Sequence, residues 1–460
     1  MSILREIPPL DVHVPVVIVG AGACGCVAAL AAKAGGAEVV VLERDARPQG
    51  NTALSGGQIP GAGTHLQKAA GIEDTPALLA GDLIAKAKGK CDAHIAERIA
   101  AESAKTVDWL VETHGLALSC MTGFRYPGHS AAHMHSPPHQ SGADLLAGLV
   151  NAVERAGVDI VCSATVTALY ADDGGFIQGV QIARPDGAIE HIGCDALVLA
   201  CNGFGGNAEL VRKYIPQIAD APYLGHAGNR GDAVIWGEEL GASLKDLGSF
   251  QGHGAVCMPS MTRLGWGTMS EGGIQVNING QRFSHENTGY SEQGLKIRSQ
   301  PGGSAWAIWD SRCEASVAAM HNHIDCWSQG AIKRFDTTAT LAQFIGCDEA
   351  ALVATLKDVS EGRCAFGRNF GGKPPLQAPY LCAKVTGALF HTQGGLEVDT
   401  QARVLRNDGT PFPNLFAGGG AARGLSGPSD WGYLSGSGLL VAVNLGRIAG
   451  ESAATLVRRT

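Results

Sequence analysis

The sequence lacks the cationic excess that a polyanion partner demands. It carries 35 Lys and Arg against 43 Asp and Glu, a formal net charge of −8. Nucleic acid and anionic membrane surfaces both call for a basic face, so neither is expected as the main partner. No run of about 18 apolar residues occurs, and no transmembrane helix is expected. Residues Met1–Leu10 lack the apolar core of a secretory leader, which reads as a cytoplasmic protein. The 13 cysteines are odd in number and scattered. Cys24 and Cys26 form a C-x-C with no second pair and no His at zinc spacing, and C-x-x-C-H is absent. The thiols read as small apolar side chains in a reducing compartment, and no metal site is expected.

Glycine is abundant: 64 of 460 residues, nearly double the usual share of about 7%. The glycines gather at a few loops, which suggests backbone approaching a ligand closely. At about 100–200 residues per domain, two or three domains are expected.

Val14–Val19 is an apolar β-branched run, read as a buried parallel strand. Gly20-Ala-Gly22-Ala23-Cys-Gly25 follows, then an Ala-rich helix over Cys26–Ala34 and a second strand over Ala37–Leu42 that ends at Glu43. A G-x-G-x-x-G that leaves a strand and opens a helix, with an acid 23 residues after its first glycine, marks a dinucleotide site. Gly20 makes the turn, Gly22 admits a pyrophosphate, and Gly25 lets helix and strand pack closely. The helix N-terminus offers free N–H groups to the phosphates, and Glu43 can accept from a ribose diol.

Further along, a Gly-rich loop is expected at Gly50–Thr64, helices within Thr75–His114 and at Gly142–Ala156, and strands at Asp159–Ala168, Gly179–Ile182 and Ala196–Ala200 that give a β-meander returning to the main sheet. From about Gly252 to His391 the character changes. Strands near Ile274–Asn277 and Ala305–Ile308 mix with helices at Thr340–Phe344 and Glu349–Lys357, which reads as an insertion. A strand at Asn414–Ala417, a Gly-rich loop and a helix at Leu439–Leu456 close the chain.

Several segments resemble the fumarate reductase/succinate dehydrogenase flavoprotein superfamily, which includes the 3-ketosteroid dehydrogenases. They are Glu43-Arg44-Asp, Gly50-Asn51-Thr52-Ala-Leu-Ser55-Gly56-Gly57, Leu197-Val-Leu-Ala-Cys-Asn202-Gly203-Phe-Gly205, His391-Thr-Gln-Gly-Gly395, Asn414-Leu-Phe-Ala-Gly-Gly419-Gly420 and Gly446-Arg-Ile-Ala-Gly450. The resemblance implies an α/β fold: a Rossmann-type FAD-binding domain with a β-meander over residues 1–251 and 392–460, and an inserted α+β capping domain over 252–391. It implies FAD contacts that also include Val166, Ser437, Gly438 and Leu439. The segment around Asn51-Thr52-Ala53 has no His where the family attaches FAD covalently, so non-covalent FAD is expected. No haem domain and no separate FMN-carrying domain is expected within these residues.

In fumarate reductases an arginine eight residues after the Arg of a "G-x-R-F-x-N-E" hairpin delivers the proton. Here the hairpin is Asn279-Gly-Gln-Arg282-Phe-Ser-His-Glu286, and that position holds Tyr290. A second, substrate-clamping arginine, counted back from Gly446-Arg447, falls on Tyr433. Both changes resemble the ketosteroid dehydrogenases, in which one tyrosine takes the α-proton and another bonds the ketone oxygen. A tyrosinate base requires a pKa lowered from about 10. His391, in the H-T-x-G-G segment, and His253, 29 residues before Arg282, resemble carboxylate-binding histidines of the fumarate reductases.

Together these imply a desaturase that forms a C=C bond next to a ketone, with Tyr290 as base and Tyr433 as oxyanion donor. The substrate is then a small cyclic keto acid of the 4-oxocyclohexanecarboxylate type, or a 3-ketosteroid, and the electrons pass to oxygen, a quinone or a carrier protein. The alternatives are a fumarate- or urocanate-type ene-reductase acting on an unsaturated carboxylate, and a protein that holds FAD without turnover. A His-rich segment, Phe124-Arg-Tyr126-Pro-Gly-His129 through His133, His135 and His139, reads as a loop near the flavin or the substrate entrance, with Tyr126 placed to assist Tyr290.

Overall fold

The computed structural model describes residues 2–123 and 125–459; Met1 and Phe124, the first residue of the His-rich segment, lie outside them. Val16–Val19 is fully buried and runs parallel to Val39–Leu42 on one side and Ala196–Leu199 on the other. Asp159–Val161 and Pro411–Ala417 extend this sheet, and Arg403–Leu405 closes it as an antiparallel edge. Continuous β-branched runs suit strands covered on both faces. The expected strand Asp159–Ala168 is two strands. The chain takes a positive φ at Ser163, and Thr165–Ala171 then enters a second sheet. There it forms an antiparallel meander with Ile177–Ala183 and Ile189–Gly193.

The expected loop 50–64 contains a one-turn helix, Asn51–Leu54, and a strand, Ile59–Pro60, paired with Met134–Ser136. That pairing partner is remote in sequence, so local composition does not reveal it. The helical stretch 75–114 divides into Pro76–Lys86 and Ala93–Glu112, each with a side-chain N-cap, from Thr75 and Asp92.

A separate antiparallel sheet holds Phe250–Cys257, Tyr380–Thr392, Ser304–Trp309 and Ile274–Val276 in that order. Gly252 and His391, where the sequence places the limits of the insertion, sit on its first two strands, with Gln251 opposite His391. The helix Tyr290–Arg298 lies directly on this sheet. A Cβ at Gly387 would come within 2.0 Å of the Gly294 carbonyl oxygen, and Ser291 Oγ accepts from the Gly252 N–H at 3.0 Å. Tyr290, the first residue of that helix, is thereby held at the sheet surface. The Arg282–Glu286 hairpin is structural. Glu286 is wholly buried and accepts from Arg282 at 2.6 and 2.7 Å and from Arg368 at 2.9 Å.

The closing helix spans Ser437–Val457. It is long and apolar enough to cross a membrane by length and composition, unlike anything expected from the sequence, and most of it is buried inside the fold. It packs on Ala23–Ala34 at backbone contact: a Cβ at Gly450 would stand 2.2 Å from the Ala28 carbonyl oxygen, and one at Gly446 2.5 Å from that of Cys24. Gly450→Ala must therefore push the two helices apart. The expected cost is about 1–3 kcal/mol, as for other overpacked cores, measured as a lower urea midpoint with an unchanged m-value.

Candidate active site

One cavity runs between the sheet ends and the antiparallel sheet above them. At its nucleotide end, Gly20 turns at φ +107, and a Cβ on Gly25 would sit 1.8 Å from the Gly20 carbonyl oxygen. Gly25 thus presses the helix Ala23–Ala34 against the turn and does not line the cavity. Gly57, Gly203 and Ser437 do not line it either, whereas every other cofactor residue expected from the sequence does. Gly57 and Gly203 pack against Ser141 and Thr392 instead.

The helices beginning after Gly22 and Gly436 carry no side chain of their N-cap residue on their first N–H groups, and both starts border the cavity. Thr52 Oγ1 accepts from the Ala23 N–H at 3.0 Å. Glu43 is buried; its two oxygens accept from the N–H groups of Ala21 (2.9 Å) and Asp45 (3.0 Å), and each keeps a further lone pair for a hydroxyl. Burial raises its pKa, against the lowering effect of those N–H donors. Arg44 is ion-paired with Asp232. Asn51 ties the 226–229 loop down, Oδ1 accepting from the His226 N–H (2.7 Å) and Asn229 Nδ2 (3.0 Å). Glycine-cleared space, a helix N-terminus at the nucleotide end and an acid at the second strand's end fit FAD; the N–H groups at the start of the helix Ala23–Ala34 would hold its pyrophosphate.

The other end is aromatic. Tyr290 stacks on His253 (centroids 4.9 Å apart) and meets Tyr433 at 6.1 Å, Trp266 at 6.0 Å and Tyr126 at 6.3 Å; His391 meets Tyr433 at 5.4 Å. The four expected reaction residues, Tyr290, Tyr433, His253 and His391, are therefore together. A Cβ on Gly438 would lie 3.1 Å from the His391 ring, a tight contact, and 3.5 Å from the Tyr433 hydroxyl, so the bare backbone at Gly438 leaves room beside both groups.

The protonation states depart from the sequence reading. Burial pushes the Tyr290 phenol well above its ordinary value, the neighbouring phenols of Tyr433 and Tyr126 add to that, and Ser435 and Arg263 oppose it. Burial likewise raises Tyr433 to about 12. A lowered tyrosine pKa is absent because the phenols crowd one another in a desolvated pocket. The histidines are neutral too. Ala255 N–H donates to His253 Nδ1 at 3.1 Å, and burial depresses that ring well below its usual range. Ser426 Oγ donates to Gln393 Oε1 (2.9 Å), which turns Gln393 Nε2 onto His391 Nδ1 at 2.8 Å; burial takes His391 to about 4. Each ring then offers an Nε2–H, a donor without charge.

Sequence reasoning missed Arg263, Gln251, Phe390, Gln393 and the start of the helix His321–Ser328 with Met320 before it, all of which line the cavity. Gln393 stands inside the quoted His391-Thr-Gln segment and could have been singled out; Arg263 has no motif around it. In the His-rich segment, His133 is buried between Asp74 (2.6 Å) and Asp82 (2.9 Å). Candidate ligand atoms of Asp82, His129 and His133 lie within 4.8 Å of one another. Asp82 Oδ2 is already engaged by the Ser130 N–H and hydroxyl as well as by His133.

Such a cavity, phosphate cradle at one end and ionisable aromatics at the other, defines a flavin-dependent oxidoreductase. A family model described as FAD binding domain matches residues 15–439. Over 448 residues the chain is 31% identical to a probable fumarate reductase of Shewanella frigidimarina, covering 95% of this chain and 74% of that protein. It is similar to the open conformation of a flavocytochrome c3 fumarate reductase, with a TM-score of 0.81 and 29% identity over 97% of this chain and 79% of that one. It is also similar to the 3-ketosteroid-Δ4-(5α)-dehydrogenase of Rhodococcus jostii RHA1, with a TM-score of 0.78 and 26% identity over 98% of this chain and all of that one (100%). The chain belongs to the fumarate reductase/succinate dehydrogenase flavoprotein family. It is an FAD-dependent oxidoreductase acting on CH–CH groups.

Gly25→Val forces the first helix off its turn. Flavin affinity should fall by tenfold or more, equivalent to about 1.4 kcal/mol or more, read as a lower ratio of flavin to protein absorbance after gel filtration.

Proposed function

We propose that the protein is a dehydrogenase that introduces a C=C bond next to the ketone of a small cyclic keto acid, using non-covalent FAD. The observation that carries this reading is the pair Tyr290 and Tyr433, phenols rather than guanidinium groups, facing each other across the cavity. When bound, FAD supplies the acceptor for the β-hydride. Tyr433, backed by the Gly438 backbone, donates its O–H to the ketone oxygen, which acidifies the α-carbon. Tyr290 takes the α-proton, and His253, stacked on its ring, fixes its orientation. Electrons leave to oxygen, a quinone or a carrier protein.

A second reading, reduction of an unsaturated carboxylate, is favoured by two observations. The first is that the relatives named above include fumarate reductases. The second is that Tyr290 rests protonated, ready to give a proton to carbon. The two readings are opposite directions across one kind of bond and are separated by experiment. Oxidised enzyme bleached anaerobically by 4-oxocyclohexanecarboxylate supports the first. Reduced enzyme reoxidised rapidly by fumarate, with no bleaching by cyclic ketones, overturns it in favour of the second.

Tyr290→Phe and Tyr433→Phe should each slow flavin reduction by about 10²–10⁴-fold with little loss of bound FAD, the range usual for a removed proton carrier or oxyanion donor; near-normal turnover in either refutes its role. Because the Tyr290 pKa is raised, its ionised fraction at neutral pH is small and grows with pH. Bleaching rates should therefore climb about tenfold per pH unit from 7 to 9, while the reverse, proton-donating direction stays flat over that range. Acid precipitation should leave the protein colourless and the flavin in solution.

A further inference from the structure

Among the described residues, one cation in the cavity has no neutralising partner. Arg263 lines the cavity, and among the described residues its guanidinium has no hydrogen-bond or ion-pair partner. The other cavity arginine, Arg44, is paired with Asp232. The carboxylates bordering the cavity, Glu43 and Asp45, stand at the nucleotide end, where Glu43 accepts two backbone N–H groups and Asp45 faces His226 at 3.1 Å. The Arg263 backbone is fixed: it bridges Val256, and Leu264 N–H donates to the Ala255 carbonyl at 2.9 Å. From there the side chain crosses the cavity, its Nη2 3.8 Å from where a Gly56 Cβ would lie. The groups around it at the aromatic end, three phenols and two imidazoles, are uncharged, and its field reaches four of them: Tyr126, Tyr290, Tyr433 and His253.

A half-buried guanidinium without a partner is costly, and its planar fork suits a carboxylate held by two hydrogen bonds. We propose that Arg263 is the carboxylate anchor of the substrate, so that this enzyme takes organic acids and discriminates against neutral ketones. The sequence assigns acid recognition to His253 and His391. The structure leaves those rings uncharged, each with Nδ1 engaged, so among the described residues the full positive charge available to a substrate at that end is that of Arg263. A keto acid can then place its ketone on Tyr433 and its carboxylate on Arg263, while a neutral steroid leaves the guanidinium unpaired. The inference rests on reading this end of the cavity as the substrate end, and its test does not require turnover.

The holoenzyme is titrated, with the flavin absorbance as readout, using 4-oxocyclohexanecarboxylate, its methyl ester and 4-androstene-3,17-dione. The acid should bind at least about tenfold more tightly than the ester, one charge-assisted contact being worth that much. Arg263→Gln should abolish the difference, Arg263→Lys should keep part of it, and both should retain the wild-type flavin content, which shows that they fold. An acid preference that survives in Arg263→Gln overturns the proposal, and so does a wild-type preference for the ester or the steroid. If acids bind in an Arg263-dependent way but neither bleach the oxidised enzyme nor reoxidise the reduced one, the redox reading above fails and the anchor stands. If bleaching occurs with an acid preference indifferent to Arg263, the anchor fails and the redox reading stands.

Discussion

The structure depends on one steric constraint: backbone meeting backbone with no side chain between. The helix Ala23–Ala34 touches the Gly20 turn through Gly25 at its start and touches the closing helix at Ala28 through Gly450. These contacts set where its first N–H groups point. The same closing helix starts after Gly436, which also lines the cavity. The start of the helix Ala23–Ala34 is thus fixed by glycine-mediated packing together with the bonds that the Ala21 and Ala23 N–H groups make to Glu43 and Thr52, and the same helix pair carries the start of the closing helix to the aromatic end of the cavity.

At the other end of the cavity the governing feature is desolvation. Tyr126, Tyr290, Tyr433, His253 and His391 all sit where burial disfavours their charged forms. The result is a set of neutral donors whose polarity is local and whose net charge is supplied by Arg263. A low-dielectric pocket with one fixed cation selects by charge at long range and by hydrogen-bond geometry at short range.

The nucleotide-binding unit was legible in the sequence because its signals are local. A β-branched run, G-x-G-x-x-G and Glu43 occupy consecutive stretches, and each glycine has a steric reason that composition alone reveals. The convergence of Tyr290, Tyr433, His253 and His391 was legible only through resemblance, since they come from four distant segments. What stayed hidden depends on tertiary placement. The pairing of Ile59 with His135, the split of the Asp159–Ala168 stretch at Ser163, and the raised tyrosine pKa values all arise from neighbours remote in sequence. Arg263 was invisible for the same reason. A lone arginine at an isolated bridge has no pattern, and its meaning comes from the absence of a carboxylate beside it among the described residues.

The helix that begins at Tyr290 is seated on the antiparallel sheet through Gly294 and Gly387, whereas Tyr433 comes from the loop that leads into the closing helix, 143 positions later in the chain. The two phenols of the proposed reaction are therefore carried by different elements of the fold. A displacement of that helix relative to that loop would part them, and the proposed base and the proposed oxyanion donor would no longer reach one substrate together.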